Sequence, residues 1–457
     1  MRAFRRVCAC AAVTLAMAGM SMPAAMAESA YPTTPTPQPN DPNQPPGRVP
    51  ENISRPVIAD AGTMLGIVRL LPATAPGDSF FNDPEFESKL PKQAVLEAGM
   101  GRAVAQVNTE SYFAHERSIA EASPFGVGIM GRIPQVPGGL AQNALSDHES
   151  PTTSALAPPP SPADQLVKLS GMNGTVHARW NEQTGPCGVA PLSDARYSLA
   201  TGSALNQVPG LGGAVLDIPS VAEAHSNVQL TDVPGQTGKA VTSTSELQIS
   251  QVKLLSGSPQ EISIDVVGKP TLTATATGDP ATSHIDYAAP VLRVSQGGKE
   301  IAVLDAANPT ADLPVPPVPG LDRQVLDTGV LRLSAGELTQ DEQGNELRGT
   351  ARLFDLKVLD GTKLGLPTAL AQISFGEQVA RAAAPAGGVN CEPPAAGGAA
   401  AGETPEAGPV GHYQGRTEPL ALTSGSYFVV PLFWAGAGLL LLGSILVAAV
   451  PRRNAKH

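Results

Sequence analysis

The sequence predicts an all-β exported region, built as an antiparallel sandwich or as stacked sheets. Three observations lead to this fold class. Residues 271–277 alternate strictly between threonine and small or apolar residues, and Ile262, Ile264 and Val266 alternate with polar neighbours. Period-two alternation with one apolar face is typical of half-buried strands in antiparallel sheets. Short runs of this kind recur over residues 57–381, separated by Gly, Pro, Asn and Asp, which favour turns.

Residues 1–27 have the organisation of a secretory signal peptide. Three arginines form a charged start, an apolar segment follows, and the last three residues read Ala-Met-Ala. Small residues in this arrangement are typical of a cleavage site, so we expect cleavage after Ala27. The alternative is an uncleaved N-terminal anchor.

Composition divides the exported region into predicted parts. Residues 28–56 are a Pro- and Thr-rich arm, which we expect to be extended because repeated proline fixes φ and removes hydrogen-bond donors. A Pro-rich stretch at 149–164 is the predicted linker between a β-rich N-terminal region, 57–148, and the main β domain, 165–382. Residues 383–426, rich in Ala, Gly and Pro, are predicted to form a stalk that lifts the body off the membrane.

A short pattern recurs in the ectodomain, in which an aliphatic residue, a cation and a second aliphatic residue lead into a turn. The aliphatic residues are expected to face the core and the cation to face outward. Two longer copies, 247–254 and 351–358, share a shift of apolar phase, which favours a diverged duplication with a β-bulge in each copy. The alternative is that any half-buried strand with an outward cation has this pattern. One short helix is predicted, at 91–100. The six short copies are 68–71, 167–171, 252–257, 292–295, 331–334 and 356–361.

Residues 427–450 form an uncharged apolar segment, followed by a basic tail at residues 451–457. A helix with a rise of ~1.5 Å per residue would reach roughly 36 Å, enough to cross a ~30 Å hydrocarbon core. The positive-inside tendency places the tail in the cytoplasm. We therefore expect a single-pass cell-membrane protein with an extracellular ectodomain. The alternative is cell-wall attachment, because residues 420–425 (LALTSG) are similar to an L-A-x-T-G sorting signal, with Ser424 in the place of its glycine.

Two cysteines remain once the signal peptide is removed, Cys187 and Cys391. Two thiols in an exported chain most simply form one disulfide. Closing a loop of ~200 residues would stabilise the fold by about 4–5 kcal/mol in the chain-entropy model, and would fix the stalk to the body. The alternative is two unpaired thiols.

The sequence contains no recognised catalytic, cofactor-binding or metal-binding motif, so we expect no enzyme, no cofactor and no metal site. Residues 235–240 have some likeness to a phosphate-binding loop but lack its spacing and its hydroxyl residue, which favours an ordinary loop. The histidines of the ectodomain are dispersed, without paired metal-ligand spacing. They include His115, His148, His177, His225 and His284.

Residues 341–346 gather acidic and amide side chains without the spacing of an EF-hand, and we interpret them as an acidic hairpin turn rather than a Ca²⁺ site. Trp180 shares one strand face with Val176 and Ala178, which favours a core position over sugar stacking. The formal net charge is −11 and becomes more negative when the basic residues at the two ends are left out. This charge argues against nucleic acid as a partner.

Residues 184–187 read Thr-Gly-Pro-Cys, residues 191–195 read Pro-Leu-Ser-Asp-Ala, and a stretch rich in Ser, Ala and Leu runs to Leu205. Here the chain resembles the actinobacterial surface proteins called choice-of-anchor P, with a likeness that covers roughly residues 57–382. These proteins carry a signal peptide, a β-rich exported region and variable C-terminal anchors. The resemblance implies surface display and no established activity, so no functional residues are carried over.

We therefore expect a membrane-anchored cell-envelope protein with a non-enzymatic structural, adhesive or partner-binding role. Its expected partners are the membrane, through residues 427–450, and a cell-wall glycan or protein. The alternative is an envelope hydrolase that acts on cell-wall polymers, with a site that is assembled only in three dimensions.

Overall fold

The computed structural model describes residues 56–70, 94–109, 117–129, 139–144, 148–157, 167–181, 184–188, 191–204, 213–214, 216–259, 261–313, 331–336, 338–358 and 371–391. The predicted signal peptide with Ala27, the predicted membrane segment and basic tail, and nearly all of the predicted arm and stalk lie outside these ranges. Within them, no helix is long and apolar enough to cross a bilayer.

The described residues are all-β, as the alternation predicted, and the strand pairs are antiparallel. In chain order the strands are β1 (Ile58–Leu70), β2 (Leu96–Asn108), β3 (Ser118–Ile129), β4 (Leu140–Asn143), β5 (Thr152–Ala155), β6 (Val167–Ser170), β7 (Asn173–Ala178), β8 (Ser193–Leu199), β9 (Thr201–Ala204), β10 (Leu216–Ile218), β11 (Ala222–Asp232), β12 (Lys239–Gln248), β13 (Gln251–Leu254), β14 (Ile262–Val267), β15 (Thr271–Ala276), β16 (His284–Ala288), β17 (Val291–Gln296), β18 (Lys299–Leu304), β19 (Thr310–Leu313), β20 (Leu331–Ala335), β21 (Leu338–Gln343), β22 (Glu346–Val358) and β23 (Ala371–Ala383).

The strands form three sheets. Sheet I has the order β19–β20–β22–β23–β1–β2–β3–β4, with β21 paired to β22. Sheet II has the order β16–β15–β12–β11–β8–β7–β5, and sheet III has the order β18–β17–β14–β13–β10–β9–β6. Strands from 57–148 and from 165–382 therefore share sheet I. Strand β5 lies inside the predicted linker 149–164 and pairs with β7.

The helix predicted at 91–100 is wrong. From Leu96 the chain is β2, which pairs with β1 on one side and with β3 on the other. Hydrogen bonding to two neighbouring strands satisfies the backbone of this segment in an extended form, and such tertiary pairing overrides a local helix preference.

Sheets II and III are two halves of one creased sheet. Six strands of sheet II are each joined to a strand of sheet III by one to three residues. The joined strands therefore follow the same order across the two sheets. Glycine and proline lie at the crease: Gly268 has a φ of 98°, and Pro270 and Pro290 precede β15 and β17. A proline cannot donate to the ladder, and this glycine adopts a backbone conformation that side chains disfavour, so hydrogen bonding ends in one sheet and restarts in the next.

The shift of apolar phase in the two longer copies of the pattern arises without a β-bulge in either segment. At 247–254 the shift is the crease, because Ile249 and Ser250 separate β12 from β13. At 351–358 the pairing of β22 with β23 keeps one register on both sides of Leu353. There the apolar phase shifts because the side chains change from one face of the sheet to the other at Gly376, which lies opposite Leu353 in this register.

Sheets I and II pack against each other through small residues. Ala61, Ala103, Ala195 and Ala224 lie at this interface and are fully buried. Cα atoms of β2 and β8 approach within 8 Å, closer than the ~10 Å usual for stacked sheets. Where β2 faces β8, such an approach leaves little space for larger side chains.

Hydroxyl groups cross this interface and bind the backbone of the facing sheet. Ser243 Oγ donates to the carbonyl oxygen of Asp60 at 2.6 Å, and Ser226 Oγ donates to that of Ala103 at 3.0 Å. Thr63 Oγ1 donates in the opposite direction, to the carbonyl oxygen of His225 at 2.8 Å. A carbonyl oxygen has two lone pairs, so it can accept such a bond in addition to its ladder bond. Each bond contributes about 1 kcal/mol net and prevents an unpaired buried hydroxyl.

Two glycines reverse the in–out alternation of sheet I. Gly101 and Gly376 have φ values of 64° and 58°, and both lie level with Leu65 in the register of β2 and β23 with β1. A Cβ on Gly101 would lie 2.6 Å from Leu65 Cδ1 and 2.7 Å from Tyr197 Cε1, so a larger residue does not fit. Gly101, Leu65 and Gly376 thus lie in one row across the sheet, which we call the glycine row. On the side of the glycine row toward Leu70, sheet I meets sheet III through larger apolar side chains, which include the stacked rings of Phe354 and Phe375.

The recurring pattern of aliphatic and cation is confirmed in sheet III. Val252, Leu254, Leu292 and Val294 are buried, while Arg293 is exposed between its two aliphatic neighbours. The copy in β1 differs, because Arg69 is only 9% exposed.

Replacing Ala224 by leucine should destabilise the protein strongly, because its side chain is fully buried in the interface where β11 approaches β1 and β2 of sheet I. We expect a loss of roughly 1–3 kcal/mol or more in the free energy of unfolding, measured by urea denaturation. The control is Gln248→Leu, which adds a leucine at the exposed end of β12. A similar stability for the two variants would contradict the close packing.

Candidate functional site

A histidine bridges two carboxylates on the outer face of sheet II. His225 on β11 contacts Asp194 Oδ2 through Nε2 at 2.7 Å and Glu246 Oε2 through Nδ1 at 3.0 Å. The strand register produces this arrangement: β8 and β12 flank β11, with Glu246 directly opposite His225 and Asp194 opposite the neighbouring position, Asn227. All three side chains are mostly buried, at 15%, 15% and 24% exposure for histidine, aspartate and glutamate.

Basic and amide groups complete this cluster, which we call the His225 cluster. Lys269 Nζ donates to Glu246 Oε2 at 2.6 Å, and Asn227 Nδ2 donates to Asp194 Oδ2 at 3.0 Å. Arg196, half exposed, lies 3.5 Å from Asp194 Oδ1. Every charged group of the cluster therefore has a partner of opposite charge.

The electrostatics favour the charged form of all three central groups. Burial alone lowers the pKa of His225, but the hydrogen bonds and charges of Asp194 and Glu246 outweigh it, and the pKa lies above its ordinary value. For both carboxyls, burial raises the pKa, yet the hydrogen bonds from His225, Asn227 and Lys269 outweigh it, and the pKa is lowered. These shifts favour an imidazolium between two carboxylates over the neutral forms of the three groups.

This geometry suits a structural latch better than catalysis. An imidazolium that donates both of its N–H groups to carboxylates has no lone pair with which to act as a general base. Carboxyl groups with lowered pKa values do not donate protons near neutral pH. The described residues contain no group of three or more His, Cys, Asp or Glu side chains arranged to hold a metal ion. The cluster can therefore tie three strands together, and it presents Arg196 to solvent.

A second charged network covers the face of sheet I that points away from the sandwich. Arg69 Nε donates to Glu97 Oε1 at 2.8 Å, and its Nη2 donates to Glu377 Oε1 at 2.6 Å. Arg352 Nε donates to the other oxygen of Glu377 at 3.1 Å. Burial raises the pKa of Glu377, but the two guanidinium groups outweigh it and the pKa is lowered.

The network extends along the strands in both directions. Arg352 also contacts Asp355 at 3.1 Å, three residues away, a contact that the reversal of faces at the glycine row allows. Further along, Arg381 contacts Asp60 Oδ2 at 3.2 Å and Glu346 Oε1 at 2.6 Å. Burial raises the pKa of Asp60 to about 6, against the opposing effect of Arg381.

The predicted disulfide is present. Cys187 and Cys391 are bonded, with Cα atoms 5.3 Å apart, and both side chains pack against the core between sheets I and II. Of the two alternatives that the sequence left open, the structure has the bonded one. This bond joins the loop after β7 to the segment that follows β23.

Other residues singled out in the sequence have structural positions. Trp180 is 7% exposed, as predicted for a core residue, and Arg117 lies 5.5 Å from its ring centroid. Residues 341–346 form the end of β21, the turn and the start of β22, which confirms the acidic hairpin turn. Residues 235–238 are the turn between β11 and β12, as expected of an ordinary loop.

The remaining histidines make separate local contacts. His177 contacts the carbonyl oxygen of His148 at 2.8 Å, and His148 contacts that of Asn143 at the same distance. His284 lies 3.2 Å from Asp286 on the same strand. His115 lies outside the described residues. The involvement of His225 in a cluster was not found from the sequence, because its partners are 21 and 31 residues away and only strand register brings them together.

The His225→Gln variant should lose stability in a pH-dependent way. A raised histidine pKa adds stability below the ordinary value of 6.5, and this is lost as pH rises through the pKa in the folded protein. Lowered carboxyl pKa values add stability above the ordinary 4.5 of glutamate. The stability difference from wild type should therefore be largest between these values, at about 1–2 kcal/mol, and should shrink above neutral pH.

Urea unfolding at several pH values measures this difference. The control is His284→Gln, since that histidine is half exposed and has a single carboxylate partner. An equal pH dependence for the two variants would show that the His225 cluster does not hold an imidazolium.

Removing the Glu377 charge should destabilise sheet I. Glu377→Gln leaves the guanidinium groups of Arg69, which is buried, and Arg352, which is partly buried, without the carboxylate between them, and we expect a loss of roughly 3 kcal/mol by urea unfolding. Asp232→Asn is the control, because Asp232 pairs with Lys239 but is 88% exposed, so its loss should stay within about 0.5 kcal/mol. Equal losses would argue against a stabilising network.

Comparisons with known proteins assign no family. No protein-family model matches the chain, and no curated protein matches it. Among solved structures, the chain is matched to "Anion-selective porin from Comamonas acidovorans" with 12% identity, over 72% of this chain and 99% of that chain, at a TM-score of 0.16. At this TM-score the match supports no conclusion about fold or function.

Proposed function

We propose that this chain is an exported, membrane-anchored protein of the cell envelope with a non-enzymatic structural, adhesive or partner-binding role. The disulfide between Cys187 and Cys391 carries the proposal. Disulfides persist in oxidising compartments and are rare in the cytosol, so a disulfide that joins two distant parts of the body favours export. The signal-peptide pattern at 1–27 and the apolar segment at 427–450 support it independently.

The state of the charged groups supports a role without catalysis. A hydrolase that cleaves glycans needs a carboxylic acid with a raised pKa beside an ionised carboxylate. Asp60 has a raised pKa, but its residue is 4% exposed and its oxygens bind Gln106 and Arg381. The carboxyls of Asp194 and Glu246 meet at His225, but both have lowered pKa values.

The outer face of sheet II is the surface we assign to partner contact. Its strands present polar side chains at every second position, and the burial of β7, β8 and β11 alternates between buried and accessible residues. Arg196 is half exposed and Thr153 is exposed on this face. A scaffold held by buried ion pairs and a disulfide can present such a face without rearranging.

Fractionation of cells that produce the protein tests the proposal. The full chain should remain in the membrane fraction after alkaline carbonate extraction, because an apolar span of this length resists extraction, and external protease should reach the body. A chain that ends at residue 426 should appear in the medium with the disulfide intact, seen as a mobility shift on reduction.

Two other outcomes would count against the proposal. Release of the full chain by wall-degrading enzymes alone would favour wall attachment through residues 420–425. Recovery of the full chain in the cytosol, with reduced cysteines, would refute export.

A further inference from the structure

The segment 384–391, which we call the C-terminal strap, crosses from sheet I to sheet II. Strand β23 is an inner strand of sheet I, and its last residue, Ala383, pairs with Ile58 of β1. The chain then reaches the start of β12, where Val389 and Lys239 exchange two backbone hydrogen bonds of 2.8 and 2.9 Å. The strap therefore joins the two layers of the sandwich at one end.

The strap packs closely against the backbone of the residues that it faces. Val389 is fully buried in the core between sheets I and II. Gly388 has a φ of 82°, and a Cβ there would lie 2.9 Å from the carbonyl oxygen of Lys239. Gly278 is closer still, since its Cβ would lie 2.5 Å from the amide nitrogen of Gly388 and nearer yet to the carbonyl oxygen of Pro385. The backbone of the strap therefore contacts the backbone of Lys239 and Gly278 directly, with no side chain between them.

The disulfide lies where the strap ends. Cys391 is bonded to Cys187 in the loop between β7 and β8 of sheet II. The chain continues from Cys391 toward the apolar segment 427–450. Any pull on the chain beyond Cys391 therefore reaches Cys187 through a covalent bond before it reaches Val389.

We propose that the strap and its disulfide form a clasp that transfers tension from the C-terminal part of the chain to sheet II and bypasses β23. Without the bond, tension would act on the two hydrogen bonds of Val389 one after the other, and then on the end of β23. Hydrogen bonds that are loaded one after the other break at low force. With the disulfide present, the force passes instead through the covalent bond to the loop that contains Cys187. The biological use of the clasp rests on the proposed anchoring, but the clasp itself does not.

Force spectroscopy on the full chain tests the clasp. One handle is placed at the C-terminus and the other in the exposed turn between Gly297 and Gly298, where a Cβ on either glycine would meet nothing within 4 Å. With the disulfide intact, we expect no early low-force event. After reduction of the same molecule, we expect an early event that lengthens the chain by less than about 28 Å, the extended length of eight residues, followed by extraction of β23.

A Val389→Gly variant distinguishes transfer of tension through the disulfide from a disulfide that only stabilises the fold. In the oxidised protein it should leave the first rupture force unchanged, because the disulfide carries the load and the hydrogen bonds of Val389 do not. In the reduced protein it should lower the force of the early event or abolish it. A lower first rupture force in the oxidised variant, or identical traces for wild type before and after reduction, would overturn the proposal. Neither result depends on where the protein lies in the cell, so fractionation tests the anchoring separately.

Discussion

The close approach of sheets I and II is the constraint on which the rest of the structure depends. Alanine and serine line this interface, and the serine hydroxyls bind carbonyl oxygens of the facing sheet, as Ser243 binds Asp60. Burial of small residues yields less hydrophobic free energy per residue than burial of large ones. Long strands compensate, since β1, β2, β22 and β23 each have 13 residues and give a large contact area.

The glycine row explains how sheet I packs against both sheet II and sheet III. On one side of Gly101 and Gly376, sheet I meets the small residues of sheet II; on the other, Phe354 and Phe375 share a core with sheet III. The reversal of alternation keeps apolar groups toward the sandwich in both halves and collects the charged groups on the opposite face. Ions that are buried in this way are stable only when paired, which accounts for the continuous network through Arg69, Glu377 and Arg352.

The fold class, the core position of Trp180 and the acidic turn could be predicted from the sequence because each depends on local pattern. Pairing of Cys187 with Cys391 could also be predicted, because the expected removal of the signal peptide leaves two cysteines and one possible pair. The helix predicted at 91–100 is wrong because the extended form of this segment depends on strands β1 and β3. The His225 cluster could not be foreseen, since a shift of one residue in the register of β8, β11 or β12 would move a partner to the other face.

The positions of the start of β1 and the end of β23 have a consequence for orientation. Ile58 lies opposite Ala383, so the chain enters and leaves sheet I at the same pole. Sheet III packs beyond the glycine row, toward the other pole, where β17 and β18 form a hairpin with the open turn at Gly297 and Gly298. A body tethered through the segment that follows β23 would therefore hold this hairpin at the end of the described sandwich opposite to its point of attachment.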